Sequence, residues 1–129
     1  MKLKGMACIL GLALILALAP GAPAKEKGFF WDGTHWQLLT NDTKVAYVKG
    51  MGNLADFEVT AGIGGGRAAC ISKAFVDELQ TRTLGQVVEE VDKFYKENSG
   101  KMNTPVIEVI LRRCTKLCPP EASIPEKKK

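Results

Sequence analysis

From residue 42 to residue 118, apolar residues return at spacings of three and four. That is the period of a helix with one buried face. Val45, Val48, Met51, Leu54 and Ala55 form the first such stripe, with Thr40, Asn41 and Asp42 ahead of it as N-cap candidates, so a helix is predicted over about 42–60. Gly50 and Gly52 interrupt it. Each costs about 1 kcal/mol relative to alanine, which makes sense where another backbone passes close by. The run AGIGGGR, 61–67, ends this helix, and Ile71, Ala74, Phe75, Val76 and Leu79 mark a second over about 68–80.

The third stripe is the clearest. In TLGQVVEEVDKFYKENSG, Thr83 and Gln86 have the T-x-x-Q form of a capping box, followed by Leu84, Val87, Val88, Val91, Phe94 and Tyr95 on one face. Glu89 with Lys93, and Asp92 with Lys96, stand four apart on the wet side. Asn98, Ser99 and Gly100 stop it, and Thr104 then offers a cap with Pro105 at the first helical position of a fourth helix. That helix carries Val106, Ile107, Val109, Ile110, Leu111, Cys114 and Leu117 and ends at Cys118, because a residue before proline avoids helical geometry. No segment reads as a strand. The expected fold is all-α, a compact four-helix bundle-like domain.

The ends differ from the bundle. Residues 1–24 place Lys2 and Lys4 before an apolar run from Met6 to Ala19 and finish on Ala22-Pro23-Ala24, the order of a cleaved secretory signal. Cys8 leaves with it. Residues 25–118 are then the helical domain, opened by an aromatic arm in which Phe29, Phe30, Trp31 and Trp36 surround a turn at Asp32-Gly33. No period organises the arm, and it is expected to lie ordered against the bundle. Its aromatics read either as a local lid or as an exposed recognition patch. Residues 119–129, rich in proline and lysine, have little apolar surface and read as a disordered basic tail.

The formal charge of +4 includes Lys2 and Lys4 of the leader and further lysines at the two ends of the domain. A nucleic-acid protein would carry its basic face on the folded part, so that class is not expected. With the signal removed, no stable membrane anchoring is expected either.

Candidate chemistry is sparse. Gly62, Gly64 and Gly65 begin a dinucleotide-loop pattern, but Arg67 stands in place of its last glycine and a helix precedes it. A flexible link is the reading, and no cofactor is expected. His35 is the sole histidine, which rules out a multi-histidine metal site within one chain. Asp56 with Glu58, and Glu89 with Glu90, are carboxylate pairs on helical outer faces, where charges are usually solvated.

The cysteines carry more. CTKLCP, 114–119, has the C-x-x-x-C-P form of copper-handling proteins of thioredoxin-like fold, whose soft thiolates suit Cu(I). Such folds need strands that are missing from the pattern. An exported chain meets oxidising conditions, so Cys70 paired with Cys118 is the leading expectation. It closes a loop of about 50 residues and contributes on the order of 4 kcal/mol. Cys114 is then a small buried hydrophobe. Pairing of Cys70 with Cys114, metal binding and an intermolecular bond stay open.

The arm DGTHWQLL leading into KVAYVKGMGNLADF, then Cys70, TLGQVVEEVDKFYKENSG and the closing PVIEVILRRCTKLC resemble the small exported helical proteins that include the Tai-like immunity proteins of type VI secretion amidase effectors. The resemblance spans the chain from Asp32 to Cys118. It implies an all-helical periplasmic domain with one disulfide, binding a protein and having no catalytic role.

The expected function is therefore a non-enzymatic periplasmic or secreted protein-binding domain, immunity-like, with Phe29, Phe30, Trp31, His35 and Trp36 as candidate partner-binding residues. A homo-oligomer is compatible with this. The rival readings are a periplasmic acid-stress holdase and a thiol or Cu(I)-handling protein using Cys114 and Cys118 with His35.

Overall fold

A computed structural model describes residues 30–120. The expected signal segment 1–24, Phe29 and the tail beyond Pro120 lie outside the described residues. The chain forms α1 (Gly33–Trp36), α2 (Asn41–Ala61), α3 (Gly66–Thr81), α4 (Leu84–Glu97), a 3-10 turn (Ser99–Lys101) and α5 (Val106–Leu117). Among the described residues there is no strand, only one isolated antiparallel bridge between Asp32 and Pro105.

The four long helices close a ring, with α2 beside α3 and α4, and α5 beside the same two. Cys70 lies opposite Cys118 and Glu78 opposite Cys114, so α3 and α5 run antiparallel. Val48, Ala55, Phe75, Val87, Val88, Val91, Tyr95, Val106, Ile110 and Cys114 fill the centre. The fold class expected from the spacing is the fold observed.

Local signals in the chain set the helix ends. Thr83 Oγ1 accepts from Gln86 N at 3.2 Å and Gln86 Oε1 accepts from Thr83 N at 2.9 Å, the reciprocal capping box. Thr40 caps α2 through Thr43 N. Gly62 stops α2 in the left-handed region, and Gly64 and Gly66 also have positive φ, so the glycine run is a sharp reversal between α2 and α3. Gly52 faces a close approach by a side chain and not by the expected backbone, with Leu79 Cδ1 only 2.7 Å from where a Cβ would stand. Gly50 faces open space, contrary to the expectation of a neighbouring backbone.

Cys70 and Cys118 are joined, with Cα atoms 5.8 Å apart, and Cys114 is a free buried thiol. The alternative bond from Cys70 to Cys114 is thereby set aside. Beside this staple, Arg67 Nη2 donates to Thr115 O at 3.2 Å and satisfies a carbonyl at the open end of α5.

Four further expectations are corrected. The arm is not devoid of helix: Asp32 caps the single turn α1 by accepting from the N–H groups of Thr34 and His35. Thr104 and Pro105 do not cap the last helix as expected. Helix α5 starts one residue later, because Val106 N donates to Trp31 O at 2.8 Å while Thr104 O accepts from the Tyr95 hydroxyl at 2.6 Å. Asp92 does not pair with Lys96; it meets Lys44 of α2 instead, at 2.7 Å. Leu54, expected inside, is exposed, since the covered face of α2 is the narrower strip through Val48, Gly52 and Ala55.

Candidate functional site

The aromatic arm divides between core and surface. Trp36 is fully buried and packs in the core, so its place among the candidate contact residues is corrected: no partner reaches it without unfolding the arm. Its indole N–H donates to Asp92 Oδ1 at 2.7 Å, which meets the need of a buried indole for an acceptor. Phe30 and Trp31 remain at the surface, Phe30 at 65% exposure. The Trp31 ring stacks on Tyr47 of α2 with centroids 5.5 Å apart, and Tyr47 in turn meets Trp36 edge-on at 6.0 Å. Burial raises the Tyr47 hydroxyl pKa.

His35 is exposed, with Nδ1 2.8 Å from Asp32 Oδ1. The Thr34 hydroxyl above all holds the Asp32 carboxyl down at about 2; burial, the next largest effect, opposes it, and the His35 ring and the backbone N–H groups of His35 and Thr34 add to the lowering. This is the chemistry of a cap: the acceptor, the hydroxyl and the ring all serve the first turn of the arm. Gly33 is buried there, and a Cβ on it would stand 2.5 Å from Tyr95 Cδ1.

Sequence reasoning missed a set of surface residues that adjoin the arm. Beyond Tyr47, the same side of α2 presents Gly50, Leu54 and Phe57, at helical spacings of three and four. Leu54 and Phe57 are each 60% exposed, and Ile63 extends the apolar surface past the helix end. Leu54 also walls a shallow groove of about 140 Å³ with Met51, Ile71, Phe75, Ile107 and Leu111. The signal was present in the sequence: Phe57 falls outside the apolar stripe assigned to the core and therefore had to point elsewhere.

Among the described residues the sulfur atoms give no accessible dithiol. Cys118 is bonded to Cys70, and Cys114 is 1% exposed. Burial, reinforced by the neighbouring Glu78 carboxylate, pushes the Cys114 thiol up to about 11, and its Sγ lies 3.6 Å from Glu78 Oε2. A thiol in such surroundings stays protonated and unreactive at neutral pH. His35, the third member of the copper reading, sits in the arm with Asp32 as its partner. Among the described residues, no three His, Cys, Asp or Glu side chains cluster as a metal site.

Three carboxylates, Glu58, Glu78 and Glu90, are engaged in structural contacts. The Ser72 hydroxyl donates to Glu58 Oε2 at 2.5 Å across α2 and α3. Glu78 and Glu90 share Arg82 and Arg113, tying α3, α4 and α5 at one end of the bundle. No helix among the described residues is long and apolar enough to cross a membrane. Comparison of the chain with protein-family models, with curated proteins and with solved structures returned no match.

Proposed function

We propose that this chain is an exported, non-enzymatic protein-binding domain, and that its contact surface is the apolar strip made by Phe30, Trp31, Tyr47, Leu54 and Phe57. One observation carries the reading. A rigid helix bearing two large apolar side chains at 60% exposure, continued by a stacked tryptophan and tyrosine, is what contact surfaces use and what isolated soluble domains avoid. The helix and the stapled bundle behind it pre-organise the strip, which lowers the ordering cost of binding. The engagement of Glu58, Glu78 and Glu90 in structural contacts supports a non-catalytic role. The immunity-like form of the proposal, an inhibitor that covers a partner enzyme's active site in the periplasm, rests on the resemblance of its segments to the Tai-like proteins. Burial of Cys114 and bonding of Cys118 weigh against thiol or copper handling.

A photoreactive benzoylphenylalanine in place of Phe57, compared with one in place of Lys73 on α3, tests the strip in the exporting cell. A defined adduct from position 57 that disappears in a Trp31→Ser, Leu54→Ser background is the expected result. Equal adducts from both positions contradict it. Self-adducts alone make the strip an interface between copies of this chain and contradict a separate partner.

A further inference from the structure

A second surface lies between α4 and α5, away from the strip's residues: a groove of about 410 Å³ with Phe94, Val109 and Ile110 among its lining and Lys93, Arg112, Arg113 and Lys116 around them. Its charges are unequally committed. Glu90 accepts from Arg113 Nη2 at 2.7 Å and from Arg82 Nη2 at 2.6 Å, so Arg113 is already neutralised. Lys93 meets Glu97 only at 3.9 Å. Among the described residues, Arg112 and Lys116 have no carboxylate partner.

Arg112 is the exceptional residue. Its guanidinium lies over the Phe94 ring, 4.5 Å from the centroid, which holds the planar fork in place without consuming its N–H donors. A guanidinium held by stacking loses little further freedom when it takes a carboxylate through two parallel hydrogen bonds. The lining also selects the kind of anion. Glu90 and Glu97 line the same groove and would repel a continuous phosphate backbone or an anionic lipid surface, whereas a peptide can place one or two carboxylates on Arg112 and Lys116 and an apolar side chain near Phe94 and Ile110.

We propose that the α4–α5 groove binds an acidic segment of a partner protein, with a peptide carboxylate seated on the free edge of the Arg112 guanidinium. This rests on the binding role proposed above, and the two fail separately, because neither the peptide titration below nor its variants involve Trp31, Leu54 or Phe57.

The test is a titration of the isotope-labelled protein, followed by backbone and arginine side-chain resonances, with a blocked peptide carrying two adjacent glutamates flanked by leucines. The same peptide with glutamines and inorganic phosphate alone are the comparison arms. Saturable shifts centred on Arg112, Phe94 and Lys116 are expected, weakening as salt is added. Affinity should fall at least about tenfold for the glutamine peptide and for Arg112→Gln, with Arg112→Lys in between, since lysine keeps the charge and loses the fork. Equal binding of the two peptides overturns the proposal, and that comparison needs no variant. Unchanged affinity in Arg112→Gln, or phosphate giving the same shifts more tightly than the glutamate peptide, overturns it as well.

Discussion

The indole N–H of Trp36 and the ammonium of Lys44 meet the same oxygen, Oδ1 of Asp92, each at 2.7 Å. One carboxylate on α4 thus pins the arm and the start of α2 together, and the Lys44 ammonium also lies 5.3 Å from the Trp36 ring centroid. Truncation of Trp36 to alanine removes a fully buried side chain and should cost about 3–5 kcal/mol. Trp36→Phe keeps the ring and loses the hydrogen bond. In a double-mutant cycle with Asp92→Ala, which removes the acceptor, followed by urea unfolding, a coupling of about 1 kcal/mol is expected, below the usual range for a charged acceptor because Asp92 is half exposed.

Two glycines should respond in opposite directions. Gly33→Ala drives a methyl into the Tyr95 ring and the Met102 methyl and should destabilise by about 1–3 kcal/mol. Gly50→Ala meets nothing within 4 Å in the middle of α2 and should stabilise by up to about 1 kcal/mol. Thermal melts of the two variants check both signs. Because Gly50 lies on the exposed strip, the Gly50→Ala protein should also lose partner adducts at position 57 if the partner approaches the helix closely there.

Alkaline stability should report the buried thiol and phenol. The Cys114 pKa is raised from 9.0 to about 11, and the Tyr95 pKa from 10.0 to about 12, each chiefly by burial. A raised pKa on an acid means that the folded state keeps its proton longer than the unfolded chain. The stabilisation is therefore complete below about pH 9 and is lost as pH rises through 9 to 11 for the thiol and 10 to 12 for the phenol. Urea midpoints should fall across this range, and Cys114→Ala should flatten the part between pH 9 and 11. A midpoint independent of pH in the parent protein would contradict the burial.

At the acid end the sign reverses. Asp32 is depressed from 3.8 to about 2, so its cap is intact above pH 3.8 and is released as pH falls through about 2. Hydrogen exchange at the amides of Thr34 and His35 should rise over that interval before exchange in α4 does. Asp32→Asn should remove the step. If the whole bundle opened together with the arm and protected an unfolding client at that pH, the acid-stress holdase reading would gain and the rigid-strip reading would lose.

Sequence-local features were legible in the chain. The Thr83–Gln86 capping box and the Val87, Val88, Val91 and Tyr95 stripe need only residues within one helix, and they stand as spacing and propensity dictate. The Cys70–Cys118 bond was accessible through compartment and loop length, without knowledge of the fold. Contacts distant in sequence were not legible. Asp92 exchanged its helix neighbour Lys96 for Lys44, 48 positions away, and the start of α5 moved because Val106 N–H found Trp31 O across the arm. Of the arm's aromatics, Phe30 and Trp31 stand at the surface, whereas Trp36 was absorbed by the core, and Leu54 of α2 was expelled from it. Helical period tells which residues share a face; how wide a face the neighbours cover is a property of packing.

Removing the staple should be costly. Cys70 and Cys118 are 48 positions apart, and releasing that loop should lower stability by about 4 kcal/mol on the chain-entropy model. A Cys70→Ala, Cys118→Ala protein compared by urea unfolding with Cys114→Ala should show this loss, while Cys114→Ala alone should show a much smaller one.

Peptide mapping of cysteine alkylation in the non-reduced protein tests most directly the fold on which the binding surface depends. Cys70 and Cys118 should resist label with and without denaturant, and Cys114 should take label only when the chain is unfolded. Labelling of Cys114 or Cys118 in the native protein would contradict the stapled, sulfur-inert bundle.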